Sequence, residues 1–380
     1  MSTRREAKTY IIGIGVTRDA KSHRDKISGI LRYAAQKQNW NIVFMERNVR
    51  PAIRIDAQIL LSRDLLRHSP SDIPTVTIDQ FTPPDCRLPN ILVDNRAIGA
   101  MAAAHFLRRG LDCLAAVRFL SGGDTIHSQA RIEGFVAAAA KAGITASVYL
   151  PATSEEDKFL SGSESFRRWL KELPKPCGVF CFHDQQARNV LDSCRLAHLT
   201  VPDQVAIIGV DNETEVCEMT RPSLSSIQPD FEAAGYLAAK VLDGLLSHRK
   251  VQPTYAYGIL QLVERESTRS LNAGGLIVSA AMRLIRTTDA KLTVAGLAAK
   301  LRISTTFLNR RFNEIIGYGP KQEIDRQRIL KIQRLLRDPS LSVAQIADLC
   351  HFSYPEELHL FFRRHTGLTP TEWRRQGVRG

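Results

Sequence analysis

Between Tyr10 and Asp211, short apolar runs alternate with amphipathic stretches, and few folds tolerate that rhythm. YIIGIGV (10–16) has the composition of a buried strand, and DKISGILRYAAQKQ (25–38) spaces Ile27, Ile30, Leu31 and Ala34 as one helix face. Further strands are predicted at NIVFME (41–46), AQILLS (57–62), TVTID (75–79) and ILVDN (91–95). The helix RAIGAMAAAHFLRRG (96–110) closes on Gly110 with two arginines in its last turn. LAAVRFL (114–120), SQARIEGFVAAAAKAG (128–143), ASVYL (146–150) and GSESFRRWLKEL (162–173) continue the pattern. CGVFCF (177–182), QQARNVLDSCRLA (185–197) and VAIIGVD (205–211) complete it. Such alternation requires parallel sheets with helices on both faces, and two runs in series predict two doubly wound lobes.

Open sheets of this kind bind ligands at the carboxyl ends of their strands. That rule selects Thr17, Arg18 and Asp19 after the first strand, and Asp124, His127 and Arg131 after LAAVRFL. It also selects His183 and Asp184 after CGVFCF, and Asp211 and Asn212 after VAIIGV. Carboxylates and an arginine around one crevice suit a polyhydroxylated ligand, because each engages adjacent hydroxyls with directional, charge-assisted hydrogen bonds. Any one of them could instead be a helix N-cap: Asp184 precedes a helix, and Asp211 could cap the next segment. As a set they point to a ligand crevice.

After Asn272-Ala273-Gly274-Gly275 the strand-like runs cease. Residues 276–380 carry 18 Lys+Arg against 9 Asp+Glu, whereas residues 1–275 carry 34 against 30. The net charge of +13 is therefore concentrated in the tail, as in a module that meets a polyanion. LIVSAAMRLIR (276–286) is helical, and LTVAGLAAKLRISTTFLNRRFNEIIG (292–317) reads as two helices about a tight corner, capped by Thr293 and Ser304. PKQEIDRQRILKIQRLLRDP (320–339) is one long helix, apolar at Ile324, Ile329, Ile332, Leu335 and Leu336. LSVAQIADLCHFSYPEELHLFFRRHTG (341–367) then repeats the first pair. Ser304 and Pro355 lie 51 residues apart, either side of a helix of about 19 residues and roughly 28 Å. That length can hold two recognition helices near one turn of a duplex apart, about 34 Å. Leu358 and Phe362 face the second core, closed by Leu368 and Trp373, while Glu356, Glu357 and His359 are free to face a major groove.

The stretches ILVDNRAIGAMAAAHFLRRG, SQARIEGFVAAAAKAG, VPDQVAIIGVDNE and TRPSLSSIQPDFEAAGYLAAKVLDGLL make residues 10–266 resemble the effector-binding core of LacI/GalR-type repressors, itself similar to periplasmic sugar-binding proteins. The resemblance implies sugar contacts at Arg131 and Asp211, and places His183 where that family usually carries Asn. Its N-terminal DNA-binding headpiece has no counterpart here, since the first strand starts by Tyr10. LTVAGLAAKLRISTTFLNRRFNEIIGYGP, RLLRDPSLSVAQIADLCHF and FFRRHTGLTPTEWRR make residues 276–376 resemble the AraC/XylS-family DNA-binding domain. By that resemblance Thr306, Asn309 and Arg310, and Glu356, Glu357 and His359, face the groove. Arg310 suits guanine, Asn309 adenine and a glutamate the amine of cytosine. Arg311, Arg363 and Arg364 are expected on phosphates. Glu356 and Glu357 could instead serve the helix's first turn. Where the family often has a corner Gly, this chain has Arg302 and His351, for which a positive φ costs about a kilocalorie per mole.

The fold class expected is thus a two-lobed periplasmic-binding-protein-like α/β domain over 1–270, followed by an all-α domain with tandem helix-turn-helix units over 271–380. A sugar sensor ahead of such a module is the arrangement of xylose-operon regulators. The resemblance implies a transcription regulator, an activator, controlled by a sugar with D-xylose the first expectation, and binding double-stranded DNA as a homodimer. RNA polymerase would be its partner as an activator. The alternative is a sugar-binding protein or sugar-acting enzyme whose C-terminal helices serve assembly. Against an enzyme, Gly13-x-Gly15 lacks the third glycine of a dinucleotide fingerprint, and neither a phosphate-cradling loop nor GxSxG occurs. No cofactor or metal is expected: Cys177 and Cys181 read as buried strand residues, and seven cysteines without a CxxC pair fit reduced thiols in a cytoplasm. No apolar run approaches the roughly 18 residues that span a bilayer, so no membrane partner is expected.

Overall fold

The computed structural model describes all residues except 1–7, 16–19, 38, 46–52, 62–72, 80–87, 119–124, 154–155, 157–159, 270–272, 289 and 378–380. The chain divides into two compact units, residues 1–108 with 113–270, and 109–112 with 271–380.

In the first unit, strands β1 (Tyr10–Gly15), β2 (Trp40–Met45), β3 (Ala57–Leu60), β4 (Thr75–Ile78) and β5 (Asn90–Val93) build one lobe. Strands β6 (Cys113–Val117), β7 (Ser147–Tyr149), β8 (Cys177–Cys181), β9 (Val205–Val210) and β10 (Ser225–Pro229) build the other. With β11 (Thr254–Tyr257) and β12 (Ile259–Val263), the sheet orders are β11-β5-β4-β3-β1-β2 and β12-β10-β9-β8-β6-β7. Every pairing is parallel except β12 on β10. All residues of β3, β4, β6, β8 and β9 are buried, as strands covered on both faces must be. Cys177 and Cys181 are buried ends of β8.

Strands β1–β5 and β6–β10 are two runs in series, as the alternation predicted, but helices and the last two strands also pass between the lobes. Helix α1 (Lys21–Ala34) covers the first sheet, but α2 (Asn95–Arg108), which leaves it, packs on α3 (Thr125–Lys141) of the second lobe. Helices α4 (Glu164–Glu172), α5 (Asp184–Leu196) and α6 (Thr214–Met219) stay with the second lobe. Helix α7 (Phe231–Leu246) then returns to pack on α1, and β11 adds to the first sheet before β12 closes the second. Three crossings join the lobes, because each sheet must be covered by helices whose strands end at the shared crevice.

Both helix pairs meet backbone to backbone. A Cβ on Gly99 of α2 would sit 1.8 Å from the Arg131 carbonyl oxygen, and one on Gly235 of α7 would sit 1.8 Å from that of Lys26. Gly134 and Gly29 complete the two contacts in the same way. Replacing Gly99 by alanine is expected to separate α2 from α3, since backbone cannot yield to a methyl. Overpacking of this kind costs at least about 1–3 kcal/mol, read as a lower urea midpoint.

The first unit ends with α8 (Glu266–Arg269), packed on β9 and β10. The second holds α9 (Ala273–Thr287), α10 (Val294–Lys300), α11 (Thr305–Ile316), α12 (Pro320–Leu336), α13 (Val343–Leu349), α14 (Pro355–Thr366) and α15 (Pro370–Gly377). It has two cores. Met282, Leu297, Leu308, Phe312 and Ile324 form one, and Ile332, Leu336, Ile346, Leu358 and Phe362 the other. Helix α12 feeds both, Ile324 into the first and Ile332 and Leu336 into the second. It has 17 residues, two fewer than the sequence spacing implied, or about 25 Å.

Candidate functional site

Two surfaces carry chemistry, and the first is the crevice between the lobes. Asp79 follows β4 with a left-handed backbone (φ 52°) and accepts from Lys26 Nζ and Tyr257 Oη, each at 2.6 Å. Lys26 is 6 % exposed and lies 5.0 Å from the centre of the Phe231 ring. Burial opposes the Asp79 carboxylate, yet the Lys26 ammonium and the Tyr257 hydroxyl outweigh it and hold the carboxyl below its ordinary range. Burial and the same carboxylate push the Tyr257 hydroxyl well up.

Arg131 is the second lobe's counterpart of Lys26, for each presents its carbonyl to the glycine of a crossing helix. Its guanidinium is buried, lies 4.4 Å from the Phe182 ring centre, and donates to the Phe182 carbonyl. Nε donates to Asn95 Oδ1 at 2.9 Å, which turns the Asn95 amide nitrogen to His127 Nδ1 at 3.0 Å. With Nδ1 accepting, the neutral imidazole carries its proton on Nε2. That nitrogen is buried and has no hydrogen-bond partner among the described residues. Asp211 follows β9, the strand whose place in the second sheet matches that of β4 in the first. It too is left-handed (φ 100°), but its half-buried carboxylate has no hydrogen-bond partner among the described residues.

These groups converge from both lobes. Asp79 accepts from Tyr257 directly, and Arg131 and Asp211 lie close enough to Tyr257 to act on its hydroxyl, the guanidinium opposing and the carboxylate adding to its upward shift. The crevice therefore offers an orphan N–H donor and a guanidinium joined through Asn95, and an unengaged carboxylate. A ligand rich in hydroxyls, each donor and acceptor at once, satisfies all three.

Of the residues selected from sequence, His127, Arg131 and Asp211 are in this set, and Thr17, Arg18, Asp19 and Asp124 lie outside the described residues. His183 is the N-cap of α5, its Nδ1 accepting from Gln186 N–H at 2.9 Å, the bond an asparagine oxygen would accept there. Two selections need correcting. Asp184 is 2 % exposed, and its oxygens accept from Glu213 N–H, Ser226 Oγ and Cys217 Sγ inside the lobe. Burial and the charge of Asp211 push its carboxyl up to about 8. Asn212 is buried and joined to Gln228 at 3.0 Å and Arg265 at 2.8 Å. Both hold the Asp211 loop in place rather than face the crevice. Sequence reasoning missed Lys26, Asp79, Asn95 and Tyr257; only VDN, in front of a helix, signalled one of them.

The second surface is the paired helices of the C-terminal unit. The Thr293 hydroxyl accepts from Gly296 N–H and the Ser304 hydroxyl from Phe307 N–H, so α10 and α11 are capped as predicted. Ser342 and Gln345 form a reciprocal capping box on α13. Both corners take the expected positive φ, 55° at Arg302 and 58° at His351, and α11 and α14 both end on left-handed glycines, Gly317 and Gly367. Leu308 and Phe312 in α11, and Leu358 and Phe362 in α14, are fully buried. Trp373 packs edge-on to Phe362 at 6.3 Å.

On the outer side of α11, Thr306 and Arg310 are exposed, while Asn309 is half-buried with its amide on the Thr305 carbonyl at 2.8 Å. Arg311 is largely covered and paired with Glu314 at 2.7 Å. On α14, Glu356, Arg363 and Arg364 are exposed and His359 is half-buried. Glu357 accepts from Ser353 N–H at 3.0 Å. It thereby stands in for a cap that Tyr354, at the N-cap position, does not supply.

Residues 103–268 match a periplasmic binding protein-like domain, and residues 297–376 a helix-turn-helix domain. The xylose operon regulatory protein of Haemophilus influenzae is 27% identical over 319 residues, covering 82% of this chain and 81% of that protein. The protein of the same name from Escherichia coli K12 is 26% identical over 75% of this chain and 73% of its own length. Among solved structures, that of the xylose-binding transcription activator xylR superposes with a TM-score of 0.60 at 23% identity, covering 97% of this chain and 99% of that one. A periplasmic binding protein/LacI transcriptional regulator from Alkaliphilus metalliredigens, complexed with D-xylulofuranose, superposes with a TM-score of 0.55 at 22% identity over 69% of this chain and 100% of its own.

Proposed function

We propose, from the premise that the chain is a sugar-responsive, DNA-binding transcription regulator with a periplasmic binding protein-like core and an AraC-type helix-turn-helix module, that a pentose, D-xylose foremost, is its effector. The observation that carries the proposal is the unsatisfied His127 Nε2 beside Arg131 and the unengaged Asp211 carboxylate. A sugar bound there touches both lobes, so it favours the closed arrangement of the crevice. Only a difference in affinity between two arrangements can change what the DNA module does. The similarity to xylose operon regulators supports the pentose and the activator reading, with RNA polymerase as the partner recruited. It also supports a cytoplasmic homodimer that acts without catalysis.

On DNA, Thr306, Asn309 and Arg310 of α11 and Glu356 and His359 of α14 are the proposed base contacts, with Arg363 and Arg364 on phosphates. In the free protein Glu357 serves its own helix and Arg311 is paired with Glu314, so each reaches DNA only by giving up that bond. Arg310→Ala is expected to weaken binding to the selected site about 10- to 100-fold, the loss of one bidentate base contact. Sugar binding should be unchanged. Fluorescence anisotropy on a cognate duplex checks this, and wild-type affinity in the variant would remove α11 from the groove. The assembly reading is separated by salt: a DNA reader loses duplex affinity steeply between 50 and 200 mM salt, on the order of 10³-fold for six phosphate contacts.

A further inference from the structure

The second helix-turn-helix unit repeats the first at an offset of 50 residues along its outer helix. Leu308 and Phe312 become Leu358 and Phe362, all four fully buried, and the terminal left-handed Gly317 becomes Gly367. The offset is 49 at the preceding helices, which run from Val294 and Val343, so the second corner is one residue longer. In this register Thr306 corresponds to Glu356, Asn309 to His359, and Arg310 to Leu360.

Leu360 is 71 % exposed. A lone exposed leucine is ordinary, but this one occupies the position that carries a 61 % exposed arginine in the other unit. It lies one turn after Glu356 and one turn before Arg363 and Arg364, all exposed and on the same helix face by 3.6-residue spacing. The arginines give that face the charge complementary to a phosphate backbone. Among base edges in the major groove, one group alone is apolar: the 5-methyl of thymine.

We propose that Leu360 reads a thymine methyl, so that the two units, alike in fold, read different chemistry: a hydrogen-bonding base through Arg310 and an apolar base edge through Leu360. The inference rests on the DNA-reading function proposed above and assigns the base class at one position of the second half-site. It also predicts that the two half-sites differ in sequence, because matching positions of the two readers carry unlike groups.

The test begins with selection of duplexes from a random pool by the full-length protein and by Leu360→Ala. The wild type is expected to enrich a fixed thymine in one half-site that the variant leaves open. Deoxyuridine at that thymine removes only the methyl. It should weaken wild-type binding about fourfold, the effect of one buried methyl-sized group, and leave Leu360→Ala unaffected. Arg310→Ala should keep the deoxyuridine penalty while losing a guanine elsewhere, and Leu360→Arg should shift the open position toward guanine. An unchanged thymine preference in Leu360→Ala, or an equal deoxyuridine penalty in both proteins, overturns the assignment. A wild-type protein that enriches no sequence overturns the DNA-reading function itself, and the assignment with it.

Discussion

Lys26→Met is expected to destabilise the effector core by about 3–5 kcal/mol, the cost of leaving one partner of a buried ion pair alone. Lys26 is 6 % exposed and its ammonium is 2.6 Å from Asp79 Oδ2, so the remaining carboxylate would keep only the Tyr257 hydroxyl and the Val93 N–H, with no cation beside it. Urea unfolding should show the loss at neutral pH. The deficit should narrow in acid. The Asp79 carboxyl is held below its ordinary range in the intact pair, so its contribution is complete above the unfolded value, about 3.9, and disappears as pH falls through the depressed one. The double replacement of Lys26 by Met and Asp79 by Asn should recover most of the stability, because no charge then remains buried. A single variant as stable as the wild type would mean that the pair is open to water.

Asp211→Ala is expected to abolish the effector response while leaving basal DNA binding as it was. In the wild type, sugar at a hundred times its Kd raises stability by about 2.7 kcal/mol, and that shift should vanish. The backbone there is left-handed, so alanine adds strain of its own, on the order of 1 kcal/mol. Asp211→Asn separates the two effects, since asparagine tolerates the conformation and removes only the charge. Both variants should fail to respond to D-xylose in a thermal-shift titration and in DNA-binding assays. A normal response in Asp211→Asn would show that the carboxylate takes no part in holding the ligand.

The legible parts of this molecule were those governed by local rules. Caps at Thr293 and Ser304, the positive φ at Arg302 and His351, and the buried Leu358 and Phe362 each follow from a few neighbouring residues. Strands β1 to β9 were legible for the same reason, being short apolar runs between turns, whereas β10, β11 and β12 were not read. What sequence order hid was anything decided by a crossing. Asp184 and Asn212 sit at strand ends, as ligand residues do, but tertiary packing turns them inward, onto Ser226 and Arg265 more than a dozen residues away. Tyr257 meets Asp79 across 178 positions of chain, and no spacing rule connects them. Glu357 shows a local rule that was weighed and left open: it spends its carboxylate on the start of its own helix because Tyr354 offers no cap.

The three passages of the chain between the lobes have a practical corollary for engineering. Neither side of the crevice is a contiguous stretch of gene: the first sheet owes its edge strand to Thr254–Tyr257 and its covering helix to Phe231–Leu246. A swap of sensing halves between relatives would thus need several coordinated splices, whereas the helical tail follows the core as one uninterrupted segment.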